Sequence, residues 1–388
     1  MSLRRATLGG VCAQDRTSVR PGQSEELPYL GLEGIEAGTG QFATGELSKT
    51  PEIPQANCFR FDDRHVLYGK LRPYLNKVAL PTAQGKCSTE IVPLLPSPHL
   101  DRRYLGYFLR SPKTVARITD RSAGARMPRA DMDFVLSLPI LLPSLEKQHR
   151  VVDLLARAEG VVRLRREAQQ KAAELTPAIF VDMFGDPATN PKRWLVAQLG
   201  EVMKSGPSNG LYKHRSAYGT GTPILRIDGF YDGAITDLVR LRRVRLDHED
   251  ELRRFALAEG DIVVNRVNSP EYLGKSAIVP RLSEPTVFES NMMRFSVDCS
   301  RVLPEFVIAL LQQPASRKHL LANAKHAINQ SSINQQDVKS VRVPLPPVAL
   351  QQSFVWRIRA IEGIRAQQAE ALIKARTTFD ALLSQAFH

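Results

Sequence analysis

Several short stretches of this chain concentrate side chains that can read a polar surface. In residues 68–77, YGKLRPYLNK, the donors Lys70, Arg72, Asn76 and Lys77 surround Tyr74 where a strand-like run turns. In residues 264–275, VNRVNSPEYLGK, Asn265, Arg266, Asn268, Tyr272 and Lys275 repeat that chemistry. Arg and Asn are the side chains that pair bidentately with guanine and adenine, so these stretches are candidate DNA contacts, with a solvated hairpin as the alternative. Tyr212, Lys213 and His214 follow the Gly-rich SGPSNGL and join the set. Ser88 and Thr89, matched by Ser290 and Asn291, follow a strand and could contact DNA or cap a turn. Arg126 and Arg129, on a Gly and Pro loop, lie opposite Asn329, Gln330, Ser331 and Ser332. The arginines from 240 to 254 alternate with Asp247, Glu249, Asp250 and Glu251 and read as a solvated face.

Enzymatic patterns fail on the letters. Gly274, Lys275 and Ser276 end like a phosphate-binding loop, but that loop needs a glycine where Ser269 stands. No NPPY or DPPY run of the amino-group DNA methyltransferases occurs. Asp337 and Lys339 form a nuclease-like DxK pair without a second acid in a strand upstream. The 8 histidines form no HxxxH pair, and the 4 cysteines, Cys12, Cys58, Cys87 and Cys299, form no CxxC pair. No catalytic residue, metal site or cofactor is expected in this chain.

The chain has 388 residues, 43% hydrophobic and 24% charged, an ordinary globular composition. A net charge of +13 points to a polyanionic partner, because clustered Lys and Arg displace counterions from phosphate backbones. No run approaches the ~20 apolar residues of a membrane span, and residues 1–10, MSLRRATLGG, lack the apolar core of a signal peptide. A cytoplasmic protein without membrane contact is expected.

What must position these stretches is a repeat. Residues 144–184 read as one long helix, with Ser144 as N-cap and Gly185 and Pro187 as the stop. Val151, Leu154, Ala158, Val161, Ala168, Ala172, Leu175 and Ile179 recur at spacings of three and four, the seam of a coiled coil. Pro177 predicts a bend or break at Thr176. Residues 350–387 repeat this helix at a shift of about 203, with Glu159, Gly160 and Phe184 matching Glu362, Gly363 and Phe387. Upstream of each helix the order of short strands, a helical piece (103–118 and 305–320) and a final apolar strand is the same. LPYLGLEGI at 27–35 answers TPILRIDGF at 222–230, and SLPILLPSLEKQ at 137–148 answers SVRVPLPPVALQQ at 340–352.

The expected fold is therefore α+β: a first domain over 1–143, a long helix over 144–184, a linker over 185–194, a second domain over 195–346 and a second long helix over 347–388. Antiparallel packing of the two helices within the chain would give a pseudo-two-fold molecule; a parallel dimer is the alternative. Arg165 and its equivalent Gln368 are polar in mid-seam, either a device that fixes register or a solvated kink.

This layout, with YGKLRPYLNK, KCSTE (86–90), GARMPRADM (124–132), MFGDPATNPKRW (183–194), SGPSNGLYK (205–213) and LPPVALQQ (345–352), resembles the specificity subunits of type I restriction-modification systems along essentially the whole chain. The insertion NSPEY at 268–272 departs from the first half and leaves the target sequence open. The resemblance implies two target-recognition domains, each reading half of a bipartite site on double-stranded DNA, with the coiled coil as a ruler between them. It also implies docking of two modification (methyltransferase) subunits and of ATP-dependent restriction subunits; S-adenosylmethionine, ATP and Mg would belong to those partners. A coiled-coil adaptor that binds protein partners, its basic charge incidental, is the alternative reading.

Overall fold

The computed structural model describes every residue except 1–3, 22–25, 44–55, 125, 232, 236, 237, 239, 323, 328, 329 and 388. It divides into two compact units. The first is Met1–Glu167 with Gln368–His388, and the second is Ala168–Gln367. Both mix strands and helices, as the α+β reading expects.

In the first unit one sheet has the strand order Cys12–Gln14, Ile91–Pro96, Val66–Gly69, Val78–Ala79, and a second the order Ser18–Val19, Cys58–Phe61, Gly85–Ser88, Tyr29–Leu30. The helical piece expected over 103–118 is two helices, α1 (Arg102–Arg110) and α2 (Pro112–Asp120). Pro112 forces the preceding Ser111 into the extended region, and the chain restarts as a helix with the proline at its first turn. Asp101 caps α1 by accepting from the Tyr104 N–H at 2.9 Å. The amphipathic helix α1 buries Tyr104, Leu105, Phe108 and Leu109. The short α3 (Met132–Ser137), capped by Asp131, leads into Pro139–Leu142, which pairs antiparallel with Arg4–Thr7.

The long helix α4 (Leu145–Phe184) begins in this unit. Its Val152 and Leu155 are buried with Phe379, Leu383 and Phe387 of the chain's last helix. Arg165 donates to Gln368 at 3.2 Å. Phe387 meets Tyr104 at 4.9 Å, and the Tyr104 hydroxyl donates to the Leu141 carbonyl just ahead of α4. Within the first unit the two helical segments thus run antiparallel.

The seam differs from the one expected. Of the expected set, Leu154, Val161 and Leu175 are 52%, 48% and 41% exposed and Ala172 is buried, whereas Val152, Leu155 and Phe180, outside that set, are buried. The pairs Val151-Val152, Leu154-Leu155 and Val161-Val162 offer an apolar residue in either phase, so spacing alone cannot choose between them. Packing does: Leu154 and Val161 turn outward while Leu155 is buried and Val162 packs on the core, and Val151 and Val152 both pack on it. The expected break at Thr176 is absent: α4 is continuous through Pro177. Three residues further on, Phe180 is fully buried and Phe184 is 1% exposed. Burying two aromatic rings offsets the ~3 kcal/mol that an interior proline costs a helix.

The second unit repeats the plan. Its largest sheet has the order Met203–Asn209, Met292–Val297, Ile262–Asn265, Ser276–Ile278, Gly233–Ile235, Phe230–Tyr231, beside a three-stranded sheet of Arg242–Val244, Tyr218–Leu225 and Val287–Phe288. The helix α5 (Glu249–Phe255) is followed by α6 (Pro304–Leu311) and α7 (Pro314–Ala322), again two helices where one was expected and again restarted at a proline. The one-turn α8 (Gln335–Lys339) precedes Arg342–Pro344, which pairs with Val196–Gln198. The last helix, α9 (Val348–Phe387), starts here, and its Phe354 packs on Phe180 and Phe184. Phe184 meets Phe306 at 4.8 Å, the counterpart of Phe387 on Tyr104.

The residues after α4 form an ordered cap. Gly185 adopts φ +83°, where a Cβ would lie 2.6 Å from Pro191. The Trp194 indole N–H donates to the Phe184 carbonyl at 2.9 Å, and the Lys192 ammonium to the Asp182 carbonyl at 2.8 Å. Two of the helix's orphan carbonyls are thereby satisfied.

Candidate nucleic-acid interface

Main-chain hydrogen bonds bring three of the candidate stretches together in each unit, in the same way. In the first unit the Lys70 N–H donates to the Glu90 carbonyl at 2.9 Å and the Lys70 carbonyl accepts from the Ala130 N–H at 2.8 Å. Arg129 pairs with Leu71 in an isolated bridge, and the Arg72 N–H donates to Pro128 at 2.7 Å. In the second unit the Arg266 N–H donates to the Asn291 carbonyl at 2.9 Å, the Arg266 carbonyl accepts from the Ile333 N–H at 2.9 Å, and Val267–Asn268 pairs with Gln330–Ser332. Lys70, Glu90 and Arg129 therefore occupy the positions of Arg266, Asn291 and Ser332.

On the first junction Arg72, Arg126 and Arg129 are exposed. Arg72 sits at φ 51°, so the turn itself throws its side chain away from the strand. Ser88 is half-buried and accepts from the Glu90 N–H at 3.3 Å, which is turn capping. On the second junction Gln330 is exposed and Asn268 and Asn291 are half-buried. Arg266 donates to the Ser290 carbonyl at 3.1 Å. Tyr212, 77% exposed, adjoins this junction because the neighbouring Leu211 carbonyl accepts from the Ser290 N–H. His214 is exposed, its Nδ1 accepting from the Ser216 N–H at 3.4 Å.

Other candidates are turned inward. Lys77 donates to the Leu32 carbonyl at 2.7 Å and Lys275 to the Ile227 carbonyl at 2.8 Å, the same tie in both repeats. The Lys275 ammonium also lies 3.8 Å from the Tyr231 ring centroid and 5.4 Å from that of Tyr272. Asn265 is fully buried, its amide donating to the Tyr272 carbonyl at 3.4 Å, and Ser331 is 3% exposed. Asn76, at φ 51°, donates to the Arg110 carbonyl at 3.1 Å. Lys213 is held between Asp247 at 2.6 Å and Glu251 at 2.8 Å, and those two carboxylates carry it above the usual lysine range despite its desolvation. The three ammonium groups and the two amide nitrogens already serve the fold, whereas the Oδ1 atoms of Asn76 and Asn265 are buried without a hydrogen-bond partner among the described residues. Tyr74 and Tyr272 are 52% and 44% exposed, each at the mouth of a cleft within its own unit. Asn329 lies outside the described residues.

The inward lysines lead to a direct expectation. Lys275→Met should destabilise the second unit by roughly 1–2 kcal/mol, the cost of leaving the Ile227 carbonyl without its charged donor, and Lys77→Met should do the same in the first. The opening free energy of the strands beside each tie, from hydrogen exchange, measures it. A change under about 0.5 kcal/mol at both sites would show that the tie is dispensable.

Three residues escaped the reading of the letters. Glu90 accepts from Arg129 Nε at 3.1 Å and Nη2 at 3.0 Å, but a lone glutamate after a serine and a threonine carries no signal. Gln148 and Gln351 are both fully buried. Their side chains bind Asp101, His99 and Pro143 in one unit and Leu303, Arg301 and Pro346 in the other, all at 2.8–3.0 Å. Here the signal was present: glutamine stands at equivalent places in SLEKQ and VALQQ.

No group of three or more His, Cys, Asp or Glu side chains among the described residues could hold a metal. Cys12, Cys58 and Cys87 are buried, and burial pushes the Cys12 thiol up to about 12, away from nucleophilic use. No described helix is long and apolar enough to cross a membrane.

Solved chains of type I restriction-modification systems share this fold. One solved chain, from work on complex assembly and conformational transition of the type I R-M system, superposes with a TM-score of 0.64 at 21% identity, over 100% of this chain and 98% of that one. The type I restriction-modification S subunit from M. genitalium superposes with a TM-score of 0.51 at 13% identity, over 100% and 96%. In sequence, the type I restriction enzyme StySPI specificity subunit of Salmonella potsdam is 24% identical over 97% of this chain and 85% of its own length. The EcoKI specificity subunit of Escherichia coli K12 is 25% identical over 73% and 64%. The putative MjaX specificity subunit of Methanocaldococcus jannaschii is 29% identical over 48% of this chain, and the match spans 44% of that protein. No protein-family model matches. The resemblance drawn from the sequence holds: this chain is similar to the specificity subunits of type I restriction enzymes along nearly its whole length.

Proposed function

We propose that this chain is the non-catalytic specificity subunit of a type I restriction-modification enzyme, and that each unit reads one half of a bipartite sequence on double-stranded DNA. The observation that carries this reading is the repeated junction: the same main-chain bonds hold three chain segments in both units, yet the side chains they display differ. A duplicated frame with different displays suits two different half-sites. The +13 charge supplies the phosphate attraction that fixes register, and the displayed Arg, Asn and Gln supply base contacts.

The long helices serve as the spacer in this reading, paired antiparallel along their length with the two repeats related by a pseudo-two-fold. The contact of Arg165 with Gln368 supports it, since each is the repeat equivalent of the other and such residues face each other only near a two-fold. The boundaries 1–143, 144–184, 185–194, 195–346 and 347–388 then mark the first target-recognition domain, its helix, the linker, the second target-recognition domain and its helix. Two modification subunits dock on the exposed apolar helix faces, and restriction subunits join them; S-adenosylmethionine, ATP and Mg enter with these partners.

Mapping genomic methylation in cells that express the chain with its modification subunit, against the modification subunit alone, tests the reading. A new motif of two defined halves and an unspecified spacer is the expected result. With both subunits demonstrably expressed, the absence of any motif would overturn DNA specificity and favour the protein-binding adaptor.

A further inference from the structure

The Arg129 guanidinium is held along one edge. Nε lies 3.1 Å from both Glu90 carboxylate oxygens and Nη2 lies 3.0 Å from Oε1, a side-on clasp. Nη1 reaches only the Met127 carbonyl, at 3.4 Å. The side chain nevertheless remains 47% exposed. An arginine clasped through Nε and Nη2 keeps its outer fork, Nη1 with the second hydrogen of Nη2, in a fixed plane; that fork matches the O6 and N7 acceptors of guanine.

The clasp stands on the most tightly defined backbone of the site. The Lys70 N–H donates to the Glu90 carbonyl, the Ala130 N–H donates to the Lys70 carbonyl, and Arg129 itself bridges both Leu71 and Ala123. The second unit keeps this backbone but has Asn291 for Glu90 and Ser332 for Arg129, so the charge pair is replaced by a neutral amide and a hydroxyl. A pair needed to hold the junction together would be needed twice. Its presence on one side only marks it as part of what is displayed.

We infer that Arg129 is a specificity-determining residue that reads a guanine in the half-site of the first unit, and that Glu90 is the positioning residue that aims it. The inference rests on the DNA-recognition reading above. Because Glu90 offsets the charge of Arg129, the pair contributes direction more than phosphate attraction. Losing the fork should therefore relax the choice of base and leave the salt dependence of binding nearly unchanged.

The test uses the full chain with its modification subunit and compares the methylated motif of wild type, Arg129→Lys, Glu90→Ala and Glu90→Asp. Arg129→Lys keeps the charge but loses the fork, so one guanine in one half-site should become degenerate, with preference falling tenfold or more, while the other half is unchanged. Glu90→Ala should relax the same position, and Glu90→Asp should restore part of the preference. A residue that merely held the fold would change both the amount of methylation and its motif, with no rescue. If wild type yields a bipartite motif and both Arg129→Lys and Glu90→Ala yield the identical motif, the inference is overturned and the function stands. If wild type yields no motif, both fall.

Discussion

Replacing Gln351 with leucine is expected to destabilise the second unit by about 3 kcal/mol, and replacing Gln148 to do the same in the first. Each amide is fully buried and joins the N-cap residue of a short helix, Leu303 or Asp101, to the turn before a long one. Leucine fills similar space but leaves one N–H and two carbonyls without partners. A buried group stripped of its partner costs roughly 1–3 kcal/mol, and local relaxation recovers part of the sum. Because the chain has two units, one global midpoint is a poor readout. Hydrogen exchange should instead show faster opening of α6 and the first turns of α9 in Gln351→Leu, and of α1 and the first turns of α4 in Gln148→Leu. Protection unchanged at both places would show that these amides do not hold the long helices to their units.

The second large effect concerns association. Trp356 is 75% exposed on α9, and Ile364, eight residues on, is 46% exposed; Leu154, Val161 and Leu164 are similarly open on α4. An indole left in water on a long helix forgoes roughly 2–3 kcal/mol of burial, and such residues, once covered, are the usual hot spots of an interface. In the proposed function the modification subunits cover these faces. Trp356→Ala should therefore weaken binding of the modification subunit about 30-fold or more, by titration calorimetry or co-purification, while leaving the helix content and the hydrogen-exchange protection of the isolated chain unchanged. Equal affinity of the wild-type and Trp356→Ala chains would place the docking surface elsewhere.

How far the letters carried can be told from single residues. The repeat was legible because hydrophobic order, glycines and prolines recur at one shift, and the matched ties of Lys77 to Leu32 and of Lys275 to Ile227 repeat it atom for atom. The phase of the helix seam was not, because doubled apolar residues satisfy two phases equally and only packing against Phe379, Leu383 and Phe387 selects one. For the site, position was more legible than orientation. Arg72, Arg126 and Arg129 do stand on one junction, but Lys77, Asn265 and Lys275, drawn from the same stretches, point into the protein. A strand alternates its faces, a turn ends the alternation, and nothing in the residue type says on which side a lysine will find a carbonyl. Glu90 was missed for the opposite reason: its role exists only through Arg129, 39 residues away in the chain.

The backbone framework shared by the two junctions also bears on how such a protein can change over generations. The bonds that hold each junction run from main chain to main chain, and any residue other than proline can make them. Glu90 and Arg129 in one copy and Asn291 and Ser332 in the other already occupy one scaffold. A new preference can therefore arise by exchanging a pair of side chains, without a passage through an unfolded or unstable intermediate, and the two copies are free to drift apart independently.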